Sequence, residues 1–471
     1  MKPEASKLTT GSIPQTLFAF TLPILMGNVF QSINGSINSI WVGNYLGEAA
    51  LSATSNANAV LFLLLGAVFG ITMAATILIA QNVGARRPDE AKRVVGTSTS
   101  FFAILSIAVA VAGIVLSEPI LRAMQTPAAS LPFALVYLRV MFLALPLSYA
   151  YFFVMAALRG AGDSKTPFMF LLISVGLDII LNPLLIFGWG PIPRMGIAGS
   201  ATATLLAQAI SFGALMRHIY AKRNPLALHR GEFHLLRIDW SIVRTLIVKG
   251  LPMGAQMIVL SLSMVIMFKL VNRYGEETTA AFAASMQLWN YVQMPALALG
   301  GAVSSMAAQN IGAGLWTRVY QIARTSVLFN LLLTGVPVLL LYIFARPALG
   351  LFLPLGSKAL PIAIHLNSVI LWSFPLFGIS MVLSGLVRAA GAVIPPLLIL
   401  ATAMLVVRLP AAYWAADHWG EDGIWWSFSA AAITAMSLTA MYYKFGSWRS
   451  AKMQARSAAV AAPPASSETP A

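Results

Sequence analysis

AQNVGA, residues 80–85, comes back as AQNIGA at residues 308–313, an offset of 228 residues. Three further stretches do the same. LPILMGN at 22–28 is answered by LPMGAQM at 251–257, and NYLGEAALSA at 44–53 by NRYGEETTAA at 272–281. LALPLSYAYFFVMAALRGAG at 143–162 returns as WSFPLFGISMVLSGLVRAAG at 372–391, so every offset is 228 or 229 residues. An offset held across separated stretches means that the chain is two copies of one unit, an arrangement common among membrane transporters.

Composition says what each copy is made of. Of the 471 residues 58% are hydrophobic and 10% are charged, whereas a soluble chain carries roughly a quarter charged residues. About 20 apolar residues are needed to cross about 30 Å of hydrocarbon as a helix. Reading for such runs predicts twelve spans, at 14–38, 51–80, 94–117, 131–155, 166–189, 197–219, 243–270, 279–306, 319–345, 361–386, 394–416 and 423–445. The fold class expected is an all-α integral membrane protein, twelve transmembrane helices in two pseudo-symmetric six-helix lobes. Six helices per copy give both copies the same orientation, related by an axis along the membrane normal. The divisions are an N-terminal segment 1–13, an N-lobe 14–219, an inter-lobe linker 220–242, a C-lobe 243–445 and a tail 446–471. The Ala, Pro and Ser of that tail predict disorder. No cleavage site follows the first apolar run, so the first span is expected to direct insertion.

Charge sets the orientation. The N-terminal segment, the even-numbered connections and the tail carry 22 Lys and Arg, against 6 in the odd-numbered connections. By the positive-inside rule both termini are expected to be cytoplasmic, in a bacterial-type inner membrane. The net charge of +15 therefore predicts a lipid-facing basic surface, densest at 217–249, and no nucleic-acid partner. There is no cysteine, which excludes disulfides, iron–sulfur clusters and thiol catalysis. With no GxxxxGK[ST] loop, HExxH or catalytic triad pattern, a transporter is expected rather than an enzyme, with no cofactor beyond a coupling ion.

One residue then stands out. Of the fifteen acids only Asp178, in SVGLDIILNPLLIFGWG (174–190), falls well inside a span. A carboxylate at mid-helix costs roughly 2.5–3.5 kcal/mol on insertion scales. Asn182 lies one turn on, on the same helix face, and Pro183 frees the carbonyl of Ile179. A carboxylate, an amide oxygen and a freed carbonyl suit a proton or a small hard cation, so Asp178 and Asn182 are candidate ligands for Na⁺ if sodium is the coupling ion. Gln31, Ser32, Asn34 and Asn38 of the first span, with Thr202, Thr204 and Gln208 of the sixth, are placed to complete the shell. Two alternatives stand beside this reading. Asp178 could pair with Arg139, at nearly matching depth, or with Arg408, in the corresponding C-lobe helix, as a structural or gating contact; or it could meet a cationic substrate directly.

For a substrate cavity the candidates are Gln31, Asn34, Gln256, Met257, Met286, Trp289 and Tyr291. Methionines adapt to varied apolar ligands, and aromatic faces stack on cations. Helix packing and interfacial anchoring are the competing explanations. Pro23 with Pro252, and Pro146 with Pro375, occupy equivalent places in the two copies and are expected to permit bending.

LPILMGNVFQSINGSINSIWVGNYLG, AQNVGARRPDEAKRVV, ALRGAGDSKTPFMFLLI, LNPLLIFGWG and MGIAGSATAT in the first half resemble the marks of the multidrug and toxic compound extrusion (MATE) family. GLPMGAQM, QMPALALGGAVSSMAAQNIGAG and GLVRAAGAVIPP in the second half fit it as well. The resemblance covers about residues 14–445. It implies a secondary antiporter that exports cationic or amphipathic drugs in exchange for H⁺ or Na⁺ by alternating access. Small-molecule substrates and membrane lipids are the implied partners, and a monomer is the expected working unit. The resemblance also implies a coupling site in the N-lobe, with departures. Asn38 stands where the family usually has Asp, and Asp178 and Asn182 look exchanged, while Thr204 matches. The C-lobe acids of some members are replaced by apolar or small residues at Val259 to Ser261 and at Leu376 and Phe377. Two other functions remain open on sequence: a flippase for lipids or lipid-linked oligosaccharides, and a non-transporting receptor or scaffold.

Overall fold

The structure, a computed structural model, describes residues 8–188, 193–354 and 356–453. Six long helices form a first bundle: α1 (Ile13–Leu46), α2 (Glu48–Gly84), α3 (Pro88–Ala123), α4 (Leu131–Gly160), α5 (Lys165–Phe187) and α6 (Ile197–Ala221). A second follows: α7 (Trp240–Val271), α8 (Glu276–Gly312), α9 (Trp316–Ile343), the short α10 (Ala345–Leu349), α11 (Ala359–Ile370) and α12 (Ser373–Ala390), then α13 (Ile394–Ala401), α14 (Arg408–Trp419) and α15 (Glu421–Phe445). Helices α11 and α12 make one crossing, interrupted at Leu371 and Trp372. Helices α13 and α14 make another, joined by a π-helical turn, Thr402–Val407. The result is a multi-pass helical membrane protein with twelve crossings among the described residues, of which ten are long and apolar enough by themselves to span a bilayer. Backbone groups in lipid must be satisfied within the segment, and several hydroxyl side chains bond within their own helix. Thr76, for example, returns its hydroxyl to the carbonyl of Thr72 at 2.9 Å.

The copies match in detail and differ at their prolines. Gly47 and Gly275, 228 residues apart, turn the first helix of each bundle into the second at φ of 86° and 98°, values at which a side chain would be strained. Pro146 lies inside the continuous α4, whereas its counterpart Pro375 opens α12 after the interruption, where a missing N–H costs nothing. Pro410 likewise sits in the first turn of α14. It offers no N–H to the carbonyl of Val406, and the backbone widens into the π turn immediately before it.

The bundles meet where α2 runs along α7 and α8, and α1 along α8. Small residues let the backbones touch: a Cβ on Gly70 would strike Gly250 and Gly254, and one on Gly84 or Gly312 would strike Gln309 or Gln81. Between the bundles, the linker forms a 3-10 turn, Arg230–Leu236, that lies on α3. Ser100 donates to the Leu236 carbonyl at 2.6 Å, and Lys92 pairs with Glu232.

The expected disorder of the tail does not begin at 446. Trp448 is buried, stacks on Tyr443 at 5.4 Å between ring centroids and donates its indole N–H to the Tyr443 carbonyl. That ring is large enough to fix the segment after α15. The rest of the expected tail, 454–471, lies outside the described residues, as do residues 1–7 of the N-terminal segment.

Candidate functional site

Helix α5 carries Asp178 inward, where 2% of the side chain is exposed. Its burial is made tolerable by donors from two neighbouring helices. From α1, Asn34 donates to Oδ2 at 2.7 Å and Asn38 donates to the same oxygen at 2.9 Å. From α6, Thr204 donates to Oδ1 at 3.0 Å. Asn182, fully buried one turn further along α5, donates to Oδ1 of Asn38 at 2.8 Å. A carboxylate, three amides and a hydroxyl thus tie α1, α5 and α6 together through one charge. Hydrogen bonds to an ionised acceptor contribute about 1.5–3 kcal/mol each, roughly twice the neutral value.

The site opens on a cavity of about 80 Å³, whose lining includes Gln31, Asn34, Tyr151, Ser174, Thr204 and Gln208. Drug-sized ligands occupy about 300 Å³ or more, so this space holds water or an ion and not a drug. Two buried oxygens of the cluster, Asn34 Oδ1 in the cavity lining and Asn182 Oδ1 one turn from Asp178, have no hydrogen-bond partner among the described residues. They are acceptors waiting for a donor. A sodium ion fits the arrangement poorly, because the N–H and O–H groups of Asn34, Asn38 and Thr204 already face the only carboxylate.

Neither arginine pairs with Asp178. Arg139 matches it in depth but projects away, its Nε donating to Ser117 of α3 at 3.2 Å. Arg408 belongs to the core of the second bundle, 4% exposed, with its guanidinium 3.5 Å over the ring of Phe428 and its N–H groups on the sulfurs of Met264 and Met404. Among the described residues no carboxylate reaches it. Thr202 is also absent from the cluster, returning its hydroxyl to the Ala198 carbonyl of its own helix.

The expected substrate residues scatter. Gln31 and Asn34 line the Asp178 cavity, and Met257 packs at the bundle seam opposite Gly66. Trp289 is core, not cavity: it is buried among Phe282, Phe374 and Phe428, and its indole donates to Asn367 at 2.8 Å. Met286 packs on the same core, while Tyr291 is exposed. Gln256 accepts from Arg388 at 2.8 Å, a buried pair that sequence reasoning missed.

Sequence reasoning also missed what the repeated Gln does. Gln81 donates to the carbonyl of Ala389 at 2.7 Å, and Gln309 donates to the carbonyl of Gly160 at 2.8 Å. Asn310 adds a bond to the carbonyl of Leu8, and Arg318 bonds the carbonyls of Thr10 and Gly11. These hydrogen bonds join the bundles at the end that carries the Lys- and Arg-rich connections.

Two duplicated six-crossing bundles, joined at one end and enclosing a buried carboxylate, define a membrane transporter fold of the kind built from paired lobes. The MatE family model matches residues 23–184 and again 252–414, one match in each copy. The chain belongs to that family. It is 36% identical over 441 residues to the probable multidrug resistance protein YoeA of Bacillus subtilis, covering 93% of this chain and 95% of that one. YpnP of the same organism, also described as a probable multidrug resistance protein, is 32% identical over 96% of this chain and 99% of its own. Among solved structures, a variant of the Vibrio cholerae MATE transporter VcmN superposes with a TM-score of 0.86 at 22% identity, over 94% of this chain and 98% of that one.

Proposed function

We propose that this chain is a secondary antiporter that exports cationic or amphipathic compounds, drugs among them, in exchange for protons, by alternating access. The observation that carries the reading is the buried Asp178, held by Asn34, Asn38 and Thr204 and paired with no Lys or Arg among the described residues. A proton taken up there removes the charge that holds three donors. The carboxyl then needs an acceptor of its own, and Asn34 Oδ1 and Asn182 Oδ1 supply one. Helix α1 thereby loses its charged anchor on α5, and the two protonation states favour different placements of α1. A ligand shifts a conformational equilibrium only by such a difference in affinity.

The lobe arrangement supports the same reading. If the basic end is cytoplasmic, as the distribution of Lys and Arg implies, the hydrogen bonds of Gln81 and Gln309 close the inner side of an outward-facing state. The relatives named as multidrug resistance proteins support export of small molecules. The test is efflux from proteoliposomes under a pH gradient or a sodium gradient, imposed one at a time. Export is expected to follow the pH gradient, and Asp178→Asn to abolish it while the protein stays folded. Full transport by that variant, or export driven by sodium alone, would refute the assignment.

A further inference from the structure

The linker that joins the bundles shapes a second cavity, of about 400 Å³, at the basic end. Its lining includes Arg93 of α3, His234 and Arg237 of the linker, and Asp239 and Trp240 at the start of α7. The floor is firm. Gly96 has no side chain to keep the Leu235 carbonyl away, and Thr97 and Ser100 donate to the carbonyls of Arg237 and Leu236. From this cavity we infer a binding site for the headgroup of an anionic phospholipid, whose phosphodiester meets Arg237 and Arg244.

Charge is the first reason. The acids nearby are committed to structure: Glu232 to Lys92, Asp239 to Arg93 at 2.7 Å and to the Ser241 N–H that it caps, and Glu90 to Arg93 at 3.8 Å. Arg237 and Arg244 are exposed, and neither guanidinium has a partner among the described residues. Their donors are free for phosphate oxygens, which an arginine fork matches in geometry.

Apolar surface is the second. Trp240 is 74% exposed and Phe233 55% exposed, as aromatic side chains are where they sit in a bilayer interface. Below Trp240 the exposed face of α7 continues through Arg244, Val248, Leu251, Ile258, Leu262 and Val265, three or four residues apart except for the two-turn step of seven from Leu251 to Ile258. Helix α3, which packs against α7, carries a parallel stripe of Ile104, Ile107, Val111 and Val115. The cavity therefore sits at the head of two adjoining apolar stripes. An amphiphile with two acyl chains and a phosphate fills all three features at once, whereas a soluble phosphate uses only the first. Because α3 and α7 belong to different bundles, a lipid there bridges both.

The experiment is native mass spectrometry of the purified full chain equilibrated with equal amounts of phosphatidylglycerol and phosphatidylcholine. Each basic residue near an anionic headgroup gives about a fivefold preference, so Arg237 and Arg244 together give roughly 25-fold preferential retention of phosphatidylglycerol. The variant with Arg237→Gln and Arg244→Gln is expected to retain the two lipids equally, with an unchanged unfolding temperature in phosphatidylcholine. A competition arm adds inorganic phosphate in excess, which is expected not to displace the lipid. Equal retention by the native chain, unchanged selectivity in the variant, or displacement by phosphate would each overturn the proposal.

Discussion

Gln81 reaches the backbone carbonyl of Ala389, and its repeat partner Gln309 reaches that of Gly160, the residue equivalent to Ala389 in the other bundle. One side chain, used twice by an internal twofold, ties each bundle to the last turn of a helix in the other. Gly84 and Gly312 stand beside these contacts, where a Cβ would strike the backbone at Gln309 and Gln81. Two hydrogen bonds and two absent side chains thus hold this part of the seam, beside the bonds of Asn310 and Arg318 to the segment before α1.

Removing both hydrogen bonds is expected to open that end. A net hydrogen bond contributes about 0.5–1.5 kcal/mol, so the double variant with Gln81→Ala and Gln309→Ala shifts the closed-to-open ratio roughly 5- to 150-fold. The native chain has no cysteine, so spin labels at Arg87→Cys and Leu315→Cys, both exposed, report the separation cleanly. A distance distribution unchanged by the double variant would show that the glutamines do not hold the seam.

The linker is expected to loosen in acid. Glu232 is held below the usual carboxylate range, first by its hydrogen bond from Lys92 and next by the backbone N–H of His229. A carboxylate with a lowered folded-state pKa stabilises the docked form above its unfolded-state pKa, near 4.3. That contribution is lost as pH falls through the folded-state value. Hydrogen exchange across 229–237 is therefore expected to accelerate below about pH 4, and Glu232→Gln to show the faster exchange already at neutral pH. Exchange in that variant no faster than in the native chain would assign the docking to the Ser100 and Thr97 contacts instead.

What could be read from the sequence followed from what each signal measures. The repeats gave the two bundles because a duplicated offset survives without knowledge of packing, and hydropathy gave the spans because lipid demands it. Asp178 was legible as a lone charge in an apolar run. Its ligands were only partly so. Asn34, Asn38 and Thr204 were on the right helices, but which of many polar residues faces α5 depends on helix rotation, and Thr202 turned to its own backbone. Arg139 failed for the same reason: depth fixes one coordinate and rotation fixes the other. Trp289 was misplaced because an aromatic in a helix that is apolar on all sides gives no periodicity to separate core from cavity. The Gln81 and Gln309 contacts end on backbone carbonyls, which no residue type announces.

Arg408 presents a charge in the second bundle that no carboxylate meets among the described residues. Its partners are two sulfurs and an aromatic face, and its Nε has none. Replacing buried ionic groups by apolar residues of similar volume is often neutral or stabilising by 1–4 kcal/mol. Arg408→Met is therefore expected to raise the unfolding temperature in detergent. A lower unfolding temperature would mean that the guanidinium holds an anionic partner absent from the contacts described.

Asn38 is the position at which the coupling chemistry should be convertible. Its Nδ2 lies 2.9 Å from Asp178 Oδ2, and its Oδ1 already accepts from Asn182. Asn38→Asp keeps the shape and the bond from Asn182 but sets a second carboxylate against the first. Two carboxylates so close cannot both ionise unaided; they share a proton or hold a cation between them. With two charged oxygen groups and the hydroxyl of Thr204 facing inward, the variant acquires the oxygen shell that the native site lacks. Sodium is then expected to stabilise Asn38→Asp by RT ln(1 + [Na⁺]/Kd), about 2.7 kcal/mol at a hundredfold excess over Kd, and to leave the native chain unmoved. Adding Asp178→Asn to the variant should abolish the response. Unfolding temperatures measured in sodium and in choline salts decide the matter: an equal sodium effect on native chain and variant would place a cation site in the native protein, and no effect on either would show that a second carboxylate is not enough.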